Sequence, residues 1–145
     1  MKKYINIAFI YAIFSMLGGI FYREFTKFNN FTGTTTLSII HLHLFVLGTI
    51  LFLIIALFSM HTDLDSKKSF KWFLRFYNIG LPFMVIMFLV KGILQTLSYN
   101  FTRSLTYSIS GLSGISHIII GISIILLFIS LRNSKQLNKK LDSND

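Results

Sequence analysis

Four apolar runs, separated by short polar segments, divide this chain. They cover roughly residues 5–22, 37–60, 73–97 and 108–131. A helix needs about 20 residues to cross the ~30 Å hydrocarbon core of a bilayer, and each run is close to or above that length. The runs are continuous rather than alternating, which predicts helices and not strands. Short connections between sequential helices make them pack antiparallel. The expected fold is therefore all-α: one four-transmembrane-helix antiparallel bundle over residues 1–132, followed by a polar tail at 133–145. The first run follows Lys2 and Lys3 as a signal peptide would. Residues 15–19 make a poor cleavage site, however, and Arg23-Glu24 follow at once, so a retained helix is expected.

Composition agrees with the pattern. Of 145 residues, 53% are hydrophobic, sixteen are Phe, and mean hydropathy is +0.66. The net charge of +9 would suggest nucleic acid if the cations were spread over a soluble surface. They instead cluster at the ends of the apolar runs, which excludes that reading and sets orientation. Lys2, Lys3, Lys67, Lys68, Lys71, Arg75, Arg132, Lys135, Lys139 and Lys140 lie on one side, against Arg23, Lys27 and Arg103 on the other. By the positive-inside rule the N-terminus and C-terminus are both cytoplasmic. The absence of cysteine excludes disulfides, thiolate metal sites, a c-type haem link and a lipoprotein anchor. Richness in Ile, Lys, Asn and Phe is associated with AT-rich bacterial genomes, so a bacterial cell membrane is the expected location.

The candidate chemistry is polar residues inside the spans. His41 and His43 lie five to seven residues into the second run, about 8–10 Å deep at 1.5 Å per residue. His117 lies about nine residues into the fourth, roughly 14 Å deep from the same outer face. Intramembrane ionisable groups are costly, and mark function more often than not. Arg23, Lys91 and Gln95 fall near the same outer face, while the cytoplasmic half is plain apolar packing. His61 and the belt residues Trp72 and Tyr77 belong to the inner boundary.

Helical phase predicts which faces turn inward. In the second helix Ser38, His41, Phe45, Gly48, Phe52 and Ser59 share a stripe. In the fourth, Ser110, Ser113, Gly114, His117 and Gly121 do. Small residues on one face admit a neighbouring helix or a flat ligand. His41 and His43 are about 200° apart on a regular helix and do not face one small site together. The phase favours His41 over His43 as the partner of His117.

One imidazole from each of two facing helices, with Phe and small residues around them, suits haem b. Its ligands would be His41 or His43 with His117. Gly48, Gly114 and Gly121 would flank the macrocycle, and Arg23, Lys91 and Arg103 would meet its propionates. The expected function is electron transfer, haem handling or gas sensing. Copper is the alternative cofactor, since imidazole suits it too and Met84 and Met87 could add soft ligands. A small-solute membrane protein and a non-catalytic assembly subunit of a larger membrane complex are further alternatives. The lipid bilayer is the expected partner, with a redox partner, a membrane complex or a homo-oligomer left open. Hydrogen bonding across helices or to headgroups is the bland account of the same histidines.

Asn30-Phe31-Thr32 recurs as Asn100-Phe101-Thr102, and Thr36, Ser38 and Ile39 recur as Thr106, Ser108 and Ile109. This suggests a duplicated helical hairpin, although His41 falls on Gly111. The segments 4–12, Gly18-Gly19, 21–25, 41–45, 77–81 and 115–117 resemble a family of small, uncharacterised four-helix bacterial membrane proteins nearly end to end. More distantly, His41, His43 and Gly48 resemble a helix of nitric-oxide-response haem membrane proteins and of haem–copper oxidase catalytic subunits. That second resemblance implies haem b in the outer half of the membrane. Four helices instead of twelve, and no second ligand set, leave oxygen reduction and proton pumping without support.

Overall fold

The computed structural model describes residues 1–97 and 102–134, without the side chains of Arg103 and Thr106. Asn100 and Phe101 of the second Asn-Phe-Thr copy, the Arg103 side chain and most of the polar tail therefore lie outside the described residues. The chain forms four long helices, and there is no strand among the described residues. They are α1 (Lys2–Phe28), α2 (Leu37–His61), α3 (Lys68–Thr96) and α4 (Arg103–Arg132). A short 3₁₀ turn, Leu64–Ser66, joins α2 to α3. Each helix has the length and apolar character to cross a membrane. The first and third extend beyond their apolar runs because Lys2, Lys3, Lys68 and Lys71 continue the helix into polar surroundings at no cost in backbone hydrogen bonds.

The outer surface is greasy. Phe9, Ile118 and Phe128 are 65%, 63% and 66% exposed, which suits hydrocarbon and not water. The core is aromatic and runs along the centre of the bundle. Tyr11 stacks on Phe52, Phe52 meets Tyr77 edge-on, and Phe70, Phe73 and Tyr77 continue the column. Tyr77 is fully buried, so it is a core residue and not part of an interfacial belt. Trp72 does lie at the surface, with Arg75 over its ring at 5.2 Å.

The helices form a folded ribbon: α1 packs along α2, α2 leans on α3, and α4 lies against α3. Tight crossings fall at glycines. A Cβ at Gly92 would stand 2.7 Å from the Leu37 backbone nitrogen, and one at Gly80 would stand 2.8 Å from Ile119. The seam of α4 is Ile109, Ser116, Ile120, Ser123, Leu127 and Ser130, all buried. Ser110, Gly114, His117 and Gly121 instead lie on the exposed side of α4, and a Cβ at Gly114 or Gly121 would meet nothing within 4 Å. The expectation that this stripe faces inward is thus corrected. The buried serines are as small as glycine's neighbours require, and they take the seam because Ile109, Ile120 and Leu127 lie in phase with them.

The N-terminus, the α2–α3 turn and the end of α4 meet at one end of the bundle. The Tyr4 hydroxyl donates to Asp65, the Ser134 hydroxyl donates to Asp63 at 2.7 Å, and Lys67 pairs with Asp63 at 2.9 Å. The hydrogen bond from Lys67, followed by that from Ser134, lowers the Asp63 pKa. A carboxylate lowered on folding contributes stability above its unfolded pKa and loses it as pH falls through the folded value. We expect the thermal midpoint in detergent to drop on acidification below the usual carboxylate range. Asp63→Asn should remove that part of the drop, as seen by comparing the two proteins' midpoints across pH.

Candidate functional site

The geometry of α2 is set by a π-helical segment, Leu44–Ile50, between α-helical Leu37–His43 and Leu51–His61. Such a segment holds an extra residue, and one residue is about 100° of helical rotation. The burial pattern shows the offset. Downstream, Phe52, Ile55 and Ala56 are buried, and regular spacing back from Phe52 would bury residues 45, 41 and 38. The buried residues are instead Leu44, Ile40 and Leu37, one earlier at every step. His41 is consequently exposed, its Cβ lying 3.7 Å from where a Gly19 side chain would begin on α1. The expected inward facing of His41 is corrected: His43, half-buried, is the histidine of α2 that faces α3.

His43 and His117 meet the same ring. The Phe88 ring on α3 has its centroid 5.1 Å from that of His43 and 5.8 Å from that of His117, edge-to-face in both cases. Phe88 is only 7% exposed and lies at the middle of this three-helix contact. Each imidazole is held from behind. His43 Nδ1 donates to the Ile39 carbonyl at 2.9 Å, and His117 Nδ1 to the Ser113 carbonyl at 2.7 Å. A carbonyl only accepts, so this bond assigns the proton to Nδ1 and leaves the Nε2 lone pair of the neutral ring available. Metal-binding histidines are commonly oriented in this way.

Threonines fix the register of α2 on α3 beside this pair. Thr36 Oγ1 donates to the Phe88 carbonyl and Thr35 Oγ1 to the Gly92 carbonyl, both at 2.9 Å. The Thr36 amide donates to Gln95 Oε1 at 2.9 Å. Lys91 is half-buried, one turn beyond Phe88. Arg23 is exposed and reaches Glu24 at only 3.8 Å, away from the histidines' own contacts. Gly48 does not flank an open space: a Cβ there would stand 2.5 Å from the Tyr11 ring of α1. Among the described residues no three His, Asp or Glu side chains come together as a metal cluster.

A second polar region lies near the middle of the spans. The Tyr77 hydroxyl donates to the Leu47 carbonyl inside the π-helical turn at 2.8 Å, and the Tyr11 hydroxyl donates to Asn78 Oδ1 at 3.2 Å. Thr49 Oγ1 is buried without a hydrogen-bond partner, the single such side-chain atom among the described residues. Sequence reasoning missed this region because its residues sit singly in apolar runs. The signal was Pro82, a helix breaker within the third run.

The extra residue gives a direct test. Deleting Val46, which is exposed, should convert residues 44–50 to regular α-helix and leave His43 facing Phe88. The cost should be roughly the 1 kcal/mol of the Tyr77 hydrogen bond, seen as a small fall in thermal midpoint. A regular helix in the native chain would instead make this deletion rotate the upstream half by about 100°.

The fold is consistent with a small multi-pass helical membrane protein, with two tethered imidazoles in the contact between α2, α3 and α4. The chain matches the family described as "Protein of unknown function (DUF2871)" over residues 1–134, and it belongs to that family. No curated protein and no solved structure matches it.

Proposed function

We propose that this protein binds b-type haem through His43 and His117 in the outer half of a bacterial cell membrane, with both termini cytoplasmic. The observation that carries the reading is the pair of imidazoles on one phenyl ring, each tethered at Nδ1 and open at Nε2. The charge asymmetry of the loops supports the orientation, since the N-terminus, the α2–α3 turn and the end of α4 share the lysine-rich end.

The residues fit the group with one requirement. Phe88 lies against both rings, so closing both on one iron requires its side chain to give way. A haem held by His117 alone requires no such movement, because Gly114 and Gly121 on the same face leave open space. Two imidazoles fill both axial positions and favour electron transfer, while one leaves a position for a gas. Lys91 is the nearer candidate for a propionate, and Arg23 would have to leave Glu24. Copper has less support, since His41 is turned away from the other two histidines. The test is the visible spectrum of detergent-purified protein expressed with haem supplied. A Soret band, with metal analysis showing iron and porphyrin, is expected; copper without porphyrin, or no Soret band, overturns the reading.

An assembly subunit is the second reading, favoured by the unfilled face at Gly111, Gly114 and Gly121. It predicts that Gly114→Leu with Gly121→Leu abolishes association in a pull-down from membranes, while leucine at both histidines leaves it intact.

A further inference from the structure

A cleft of about 370 Å³ opens between α1 and α3, near the middle of both spans. Volumes of 300–1,000 Å³ are usual for sites that take small molecules. Its walls are almost wholly apolar, with Ile7, Phe14 and Val85 among them. Ile10, Pro82 and Ile86 at its edge are exposed, so it opens sideways to the lipid.

One residue breaks the apolar lining on two counts. Pro82 has no N–H, and the carbonyl four residues before it in α3 belongs to Asn78, which therefore lacks its ladder donor. The Asn78 side chain is only partly used. Its Oδ1 accepts from Tyr11, and one Nδ2–H donates to the Leu74 carbonyl at 2.8 Å. The second Nδ2–H remains. Asn78 thus presents a carbonyl without its ladder N–H and an unused side-chain donor beside a cleft in hydrocarbon, where unmatched polar groups cost several kcal/mol each. An acyl chain would satisfy neither. A hydroxyl satisfies both, donating to the carbonyl and accepting from the amide.

We propose that this cleft binds an isoprenoid quinol dissolved in the membrane, with a ring hydroxyl on Asn78 and its tail leaving through the opening toward lipid. The hydroxyl requirement comes from the cleft itself. The choice of a quinol among hydroxyl-bearing lipids rests on the haem reading in its electron-transfer form, for which a quinol dissolved in the membrane would be the electron donor.

The test is equilibrium dialysis of the full chain in detergent, purified without added haem, against a decyl-tailed benzoquinol. The controls are the quinol's dimethyl ether, which has no O–H, and a long-chain alcohol. Saturable binding of one quinol per chain is expected, with both controls at least tenfold weaker. Pro82→Ala returns an N–H to the Asn78 carbonyl and favours the helix, so the fold is retained, and binding should fall tenfold or more. Asn78→Leu should do the same. Equal binding of quinol and ether, or no change in Pro82→Ala, overturns the site; equal binding of the alcohol overturns the quinol. The measurement uses no haem absorbance, so a missing Soret band would remove the haem and the reason for preferring a quinol, while the binding result would stand or fall by itself.

Discussion

Leucine at His43 and His117 together is expected to abolish the Soret band, while leucine at His41 leaves it. The three side chains are close in size and each sits in a helix, so the substitutions differ mainly in which Nε2 they remove. The His43 and His117 rings are held by carbonyls of their own helices and share Phe88, whereas His41 faces outward beside Gly19. Single changes separate the two ligation modes. If both rings bind the iron, His43→Leu should convert a six-coordinate low-spin spectrum to a five-coordinate high-spin one. If His117 binds alone, His43→Leu should leave the spectrum intact and His117→Leu should remove it. A double variant that keeps the full band, with His41→Leu losing it, would overturn the assignment and restore the regular-helix phase. Circular dichroism of each variant in the same detergent checks that helix content is unchanged.

Gly92→Val should cost about 3 kcal/mol or more, at the upper end of what overpacking does. A Cβ there would stand 2.6 Å from Leu37 Cγ and 2.7 Å from the Leu37 backbone nitrogen. A side chain can swing away, but a backbone nitrogen moves only with its helix. The start of α2 would have to lift from α3, breaking the bonds from Thr35 to Gly92 and from Thr36 to Phe88. The few tenths of a kcal/mol that Val gains over Gly in helix propensity do not offset this. The expected readout is a large fall in the thermal midpoint in detergent. The surviving folded fraction should bind haem poorly, because the Thr36 bond holds His43 opposite Phe88. Gly121→Val, at a position where an added Cβ would meet nothing within 4 Å, is the control and should leave the midpoint near its original value.

The four helices were legible because apolar runs of this length argue for helices that can cross a membrane, and the helices lie where the runs do. The facing of α2 was not legible, because phase arithmetic assumes 3.6 residues per turn and one extra residue between Leu44 and Ile50 moves every upstream side chain. That single residue turned His43 rather than His41 toward α3. The facing of α4 failed for a different reason. Glycine and serine are both small, and the sequence alone does not say which of two small stripes is the seam. Ser116, Ser123 and Ser130 recur every seven residues, but so do Gly114 and Gly121, so the period does not separate the two stripes. Asn78 stayed hidden because its unused groups depend on Pro82 and on Tyr11, which is remote in sequence and meets it only in the fold.

The serine seam has a mechanical side. Ser116 and Ser123 donate to the Ser113 and Ile119 carbonyls of their own helix, so they fill space against α3 without binding to it. At the lysine-rich end α4 is fastened to its neighbours by side-chain bonds, where Ser130 meets Ser69 at 2.8 Å and Ser134 reaches Asp63. His117 lies on the other part of α4, where it meets Phe88 of α3 through its ring, so its place is set by packing and by its own helix rather than by those bonds.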